Sequence, residues 1–228
     1  MLEGSLELLG EIRAAWMEIE HGRDRRSTAV AALCQMSLDH AVAVQSLIAT
    51  LPQSAISLVR PQYEALVRAT WACYAATDTD IEKLLAPLTL ESQQAAKRLP
   101  GVQDMLVKLE SSGPRGASQL LGRARQCLYV GLNSYLHAGI HPLARQLNGY
   151  PGALLAGVAM NSNALAMLTL LNLAHLWPGE PVLAWMNALH HQFGGVLPEL
   201  EPLTPPSALA IELSRIACAS RVGSVVSD

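Results

Sequence analysis

Between Arg145 and Glu180 the chain carries no Asp, Glu, Lys or Arg, and most of this run, ALLAGVAMNSNALAMLTLLNLAHLW, is apolar. A segment of this length and composition is either a membrane-spanning helix or a helix surrounded by protein. Asn161, Ser162, Asn163 and Asn172 interrupt it, and its ends lack basic anchors. The sequence therefore places it inside a helical protein, as a central buried helix or as one side of a dimer interface, with no membrane partner.

The rest of the chain agrees with that choice. Hydrophobic residues make up 50% of the sequence but aromatic ones only 4%, and Ala and Leu dominate where β-branched runs are nearly absent. That is the composition of closely packed helices. A chain of 228 residues is long enough to bury a substantial core, and one domain is the simplest division. The expectation is an all-α, single-domain antiparallel bundle of about seven to nine helices over residues 1–222, with a disordered tail at 223–228. A net charge of −3 excludes the broad basic surface of a dedicated nucleic-acid binder, so any RNA contact must use a local patch. Cys34, Cys73, Cys127 and Cys218 stand singly in apolar helical text, which suits buried thiols in a reducing cytoplasm and neither a zinc site nor a disulfide framework. The first residues, MLEGSLELLGEIRAAW, carry acidic groups where an export signal needs a basic start, so a cytoplasmic location is expected.

Helices are expected over residues 5–21, 25–50, 54–76, 80–99, 101–112, 117–138, 153–176, 181–193 and 207–221. In the first, Leu8, Leu9, Ile12, Trp16 and Ile19 share a face and Gly22 follows as a stop. Leu51-Pro52, Leu99-Pro100-Gly101, the loop Ser111 to Gly116, the turn Asn148 to Gly152 and the Pro-rich stretch 197–206 separate the others. No glycine-rich phosphate loop, fixed-period repeat or sustained heptad occurs.

Two places carry chemistry. In AISLVRPQYEALVRATW, Arg60, Glu64 and Arg68 recur every four residues and stack on one face of an otherwise apolar helix. Unpaired buried charge is unfavourable, so the three pair with one another or line a cleft that reaches water. Pro61, inside the same helix, removes a backbone bond and is expected to kink it. Either this is a solvated edge with ordinary ion pairs, or it is an arginine-lined wall for a phosphate or another anion.

The second is YVGLNSYLHAGIHP, in which Asn133 and His137 share a helical face, Tyr135 points elsewhere, and Gly139 and Pro142 mark the helix end. His137 falls in the last turn, where the helix dipole favours the imidazolium and proton chemistry near neutral pH. Three readings stay open: a reactive or ligand-binding histidine, a polar corner satisfying backbone carbonyls, and a metal clip of His137 and His141 with His190 and His191. The break at Gly139 and the lack of a following Glu count against the metal.

Taken together, VRPQYEALVRATW and the later NSYLHAG resemble the small bacterial all-helical families related to the HEPN superfamily, over residues 38–145. The resemblance implies a metal-independent endoribonuclease without cofactors, acting as a homodimer in a toxin-antitoxin or phage-defence system, with RNA as substrate and a cognate antitoxin or defence protein as partner. It maps His137 onto the family's histidine and Asn133 onto the polar position after its arginine. Leu132 stands where that arginine would be, so the implied cation is Arg60 or Arg68 from the neighbouring helix. On this reading His137, Asn133, Arg60 and Arg68 are the catalytic set, and Glu64, Tyr135, His141 and Arg145 bind or orient substrate. The rival from another class is a non-catalytic helical module that binds a nucleotide, another anion or a partner protein through the same pocket. A third is a scaffold whose polar groups only fix helix register.

Overall fold

In the computed structural model, residues 1–18, 24–178 and 181–199 are described, and all regular structure among them is helical. The helices are α1 (Leu2–Glu18), α2 (Arg25–Leu47), α3 (Pro52–Tyr74), α4 (Asp78–Leu84), α5 (Leu90–Ala96), α6 (Val102–Ser112), α7 (Arg115–Leu136), α8 (Ile140–Asn148), α9 (Gly152–Leu176) and α10 (Val182–Gln192), followed by a 3-10 turn, Gly194–Val196. The expected helix 207–221, the tail 223–228, Cys218, and the end of the first helix with Ile19 and Gly22 lie outside the described residues.

The protein is all-α as expected, but its helices outnumber the seven to nine expected. Part of the difference comes from residues 80–99, which form α4 and α5 instead of one helix, broken around Pro87. Each half has its own capping box, Thr77 with Asp80 and Thr89 with Ser92. The other addition is α8, which begins right after the α7 terminus. Its Pro142 sits in the first turn, where the missing N–H breaks no helical bond.

α3 is the axis of the molecule and packs against α2, α6, α7 and α9. It runs unbroken through Pro61. α1 closes over α2 and α9, α10 lies on α9, and α8 lies on α7. Leu8, Leu38, Leu66, Trp71, Leu109 and Leu170 join one hydrophobic cluster that draws on α1, α2, α3, α6 and α9.

The uncharged run forms α9, and its polar interruptions are what dock it. Asn163 accepts from Gln45 Nε2 of α2 (2.9 Å) and donates to Ser5 Oγ of α1 (2.8 Å) and the Val196 carbonyl (2.9 Å). Ser162 and Gln62 of α3 exchange two bonds, Ser162 Oγ to Gln62 Oε1 (2.7 Å) and Gln62 Nε2 to the Ser162 carbonyl (2.8 Å). Lower down, Trp16 Nε1 of α1 donates to Thr169 Oγ1 (3.2 Å), and Asn172 Nδ2 donates to Thr70 Oγ1 of α3 (3.2 Å). α9 is the one described helix long and apolar enough to cross a membrane. Its buried Ser162, Asn163, Thr169 and Asn172 each bond a side chain on one of three neighbouring helices, although Asn172 does so through Nδ2 alone.

Cys34 and Cys73 are buried, and burial pushes both thiols up to about 12. Cys127, expected to be buried, is exposed on α7.

Candidate functional site

Burial on α3 leaves a single charged edge. Ile56, Val59, Tyr63, Leu66 and Trp71 point into the core, while Arg60, Glu64 and Arg68 stay half-buried along the side that faces α7. α7 runs antiparallel to it: Ser57 Oγ reaches the Tyr135 carbonyl (3.4 Å), and Tyr63 Oη reaches the Leu121 carbonyl (2.9 Å). The antiparallel pairing sets a second four-residue ladder, Arg125, Tyr129 and Asn133, beside the first.

Arg60 ties the two ladders together. Its Nε donates to Glu64 Oε1 (2.8 Å), one terminal nitrogen donates to Tyr129 Oη (2.9 Å), and the other donates to the Asn133 side-chain oxygen. Tyr129 Oη in turn donates to Glu64 Oε1 (3.2 Å), which closes a ring of hydrogen bonds. Burial by itself lowers the Arg60 pKa, but the hydrogen bond and charge of Glu64, with the Tyr129 oxygen, outweigh it and hold the pKa above its usual value. The guanidinium is therefore permanently charged, and each of its three nitrogens donates to a partner.

A second guanidinium stacks on the Tyr129 ring, and a third stands one turn further along α3. The Arg125 guanidinium carbon lies 5.1 Å from the centre of the Tyr129 ring, against 4.6 Å for Arg60. Arg68 follows Glu64 by one turn. The Nε–H groups of Arg68 and Arg125 are both buried and have no hydrogen-bond partner. A buried donor without an acceptor costs about 1–3 kcal/mol. With three arginines and one glutamate, the seam has a local excess of positive charge.

His137 lies past the end of this seam. It is the exposed C-cap of α7, its N–H bound to the Asn133 carbonyl (3.3 Å). The chain then turns through Ala138 at φ 51° so that Gly139 N–H reaches the Ser134 carbonyl (2.8 Å), a Schellman closure. A Cβ on Gly139 would collide with Ser134 Oγ, which accepts from the His141 N–H (3.2 Å) and so anchors the first turn of α8.

The structure thus brings Arg60, Glu64 and Asn133 into one network and sets Arg68 beside it. The Arg60 donors go to Glu64, Tyr129 and Asn133, and none goes to His137. Tyr135 is buried away from Asn133, in a second group with Tyr150 and Arg145. Burial raises its pKa, the nearby Tyr150 adds to the rise, and Arg145 opposes it. His141 belongs to α8, so it shares no helix with His137. No group of three or more His, Cys, Asp or Glu side chains converges among the described residues. Tyr129 and Arg125 were missed by sequence reasoning, although their spacing with Asn133 repeats the pattern that singled out Arg60, Glu64 and Arg68.

Fold and site together define an all-helical protein whose central helix is clamped by arginine to a neighbouring helix. Residues 34–199 match a family of unknown function (DUF6988), and the chain belongs to that family. No curated protein and no solved structure matches it.

Proposed function

We propose that the α3–α7 seam binds a phosphate-bearing ligand, either a nucleotide or the backbone of single-stranded RNA. The observation that carries this reading is the charge imbalance along the seam: Arg60 and Arg125 both lie over the Tyr129 ring, Arg68 follows one turn along α3, and Glu64 is the one carboxylate on these two ladders. Arginine offers two donors in one plane, matched to two phosphate oxygens. Each Arg60 nitrogen is already held, by Glu64, Tyr129 or Asn133, so Arg60 acts as the positioning residue, and the terminal nitrogens of Arg68 and Arg125 make the contact.

The test is fluorescence anisotropy with labelled single-stranded RNA and with a labelled adenine nucleotide. Arg68→Gln and Arg125→Gln should each weaken binding of one of these probes about tenfold or more, while Arg98→Gln, a change at an exposed position outside the seam, should not. If RNA is the ligand, two phosphate contacts predict a slope of log K against log salt of about −1.4. Absence of binding to both probes, or equal losses in all three variants, would overturn the reading.

A second reading is favoured by one contact. Asn133 links Arg60 to the helical turn that ends in His137, so a phosphate drawn to the seam lies one turn from an exposed imidazole. In a HEPN-like, metal-independent endoribonuclease, His137 would take the 2′-hydroxyl proton or protonate the leaving 5′-oxygen. The seam arginines would stabilise the charge that builds on the phosphorus oxygens. Such an activity suits a toxin or defence protein held in check by a partner. His137→Ala should abolish RNA cleavage while leaving RNA affinity within about twofold. Cleavage at the wild-type rate would remove the catalytic reading and leave the binding one intact.

A further inference from the structure

α8 is amphipathic in the wrong sense for a helix of an isolated protein. Its apolar residues Ile140, Leu143 and Leu147 recur at i, i+3 and i+7, which puts them on one face. That face looks outward: the three are 76%, 60% and 75% exposed, and Leu136 at the end of α7 adds another leucine at 44%. His141 and Arg145, the two titratable side chains of this helix, turn toward the protein instead, half-buried beside the buried Pro142. A helix that only needed to cover α7 would present its leucines to α7 and its arginine to water. Together the outward side chains make a patch on the order of 400 Å², the size at which an exposed apolar surface on a soluble protein usually has a partner.

We infer that this face of α8 is the contact surface for a second copy of the chain, paired about a two-fold axis. Three observations select that occupant. First, the outward face, completed by Ala144, Gln146 and Asn148, carries no ionised group, so two copies can meet on it without like-charge repulsion. Second, two such patches, with the polar rim around them, reach only the lower end of the area buried in specific complexes, which fits a reversible dimer of identical short helices. Third, a lipid surface is a poor match, because an interfacial helix keeps its cations on the outer flank and the Arg145 side chain is turned inward. α9, the other candidate for an interface, has its buried polar residues spent on α1, α2 and α3. The inference stands on its own and does not require the seam to bind phosphate.

Sedimentation equilibrium of the full chain tests it. The wild type should pass from monomer to dimer with rising concentration in the micromolar range. Leu143→Arg and Leu147→Arg should each raise the dissociation constant at least tenfold, whereas Leu183→Arg, at an equally open position on α10, should not. In dilute solution Leu143→Arg should melt at the wild-type temperature, since in the monomer this side chain touches little. A wild type that stays monomeric, or a Leu143→Arg variant that dimerises normally, overturns the proposal. So does a Leu143→Arg variant whose dilute monomer melts several degrees lower, which would mean that the chain's own residues cover the face. Binding of wild type to anionic vesicles that Leu143→Arg abolishes, without any dimer, would assign the face to lipid and equally overturn it.

Discussion

Asn133 of α7 accepts a hydrogen bond from the guanidinium of Arg60 of α3, joining residues 73 positions apart at the point where the two charged ladders meet. Because the other two Arg60 nitrogens donate to Glu64 and Tyr129, this bond belongs to a network that holds α7 in register on α3. Arg60→Lys keeps the charge but loses the fork, and should lower unfolding stability by about 1–3 kcal/mol. A double-mutant cycle of Arg60→Ala with Asn133→Ala, measured by urea denaturation, should show a coupling of roughly 0.5–3 kcal/mol. Strict additivity would show that the bond contributes nothing.

The turn after His137 makes opposite predictions for adjacent residues. Ala138 holds a left-handed conformation that costs any side chain, so Ala138→Gly should raise stability by about 0.5–1 kcal/mol, or a few degrees in melting temperature. At Gly139 a methyl group meets Ser134 Oγ, and moving that hydroxyl strips the His141 N–H of its acceptor. Gly139→Ala should therefore cost about 1–3 kcal/mol and loosen α8, seen as faster amide exchange at residues 140–143.

Buried and half-exposed asparagines of α9 should separate cleanly. Asn163→Ala leaves the Ser5 hydroxyl and the Val196 carbonyl without their partner and should cost about 2–4 kcal/mol. Asn161 bonds only the Gly157 carbonyl of its own helix, so Asn161→Ala should stay within about 0.5 kcal/mol of wild type. Equal effects in calorimetry would contradict the assignment of Asn163 as a docking residue.

Asp24 gives the fold a pH dependence. It caps α2 by accepting from the Ser27 N–H (2.9 Å) and hydroxyl, and these bonds, the hydroxyl foremost, hold its carboxyl below the usual 3.8. A lowered carboxyl pKa means that the unfolded chain binds the proton first as the pH drops. The cap's contribution is therefore complete above about pH 4 and fades as the pH falls through the lowered value. Asp24→Ala should cost about 1 kcal/mol near pH 7. The gap between variant and wild-type melting temperatures should narrow in more acidic solution.

Much of the architecture can be read from the chain because helices announce themselves one at a time. Spacing alone puts Arg60, Glu64 and Arg68 on one edge, and the same reasoning applied to Arg125, Tyr129 and Asn133 would have found the opposing ladder. Which ladder faces which was not readable, since that depends on the antiparallel docking of α7 on α3, an outcome of packing over many residues. Pro142 misled in a different way. It was read as a helix terminator, but three residues after a Gly cap it is a good first-turn residue, so the same atom pattern that ends α7 starts α8. Ser162 and Asn163 of α9 are legible as interruptions of an apolar run, while their partners Gln62, Ser5 and Gln45 look like ordinary surface residues until the helices are assembled.

Those partners have a consequence for how the chain comes together. α2 and α3 form a hairpin through local contacts, yet the polar groups on the face it offers α9, Gln45 and Gln62, find their mates 118 and 100 residues further along. While a ribosome is still making the second half, water can satisfy these amides, so the waiting hairpin shows a partly polar groove and not a bare strip of leucine. α9 then arrives with matching asparagine and serine, and the slow search for a distant contact ends in one alignment.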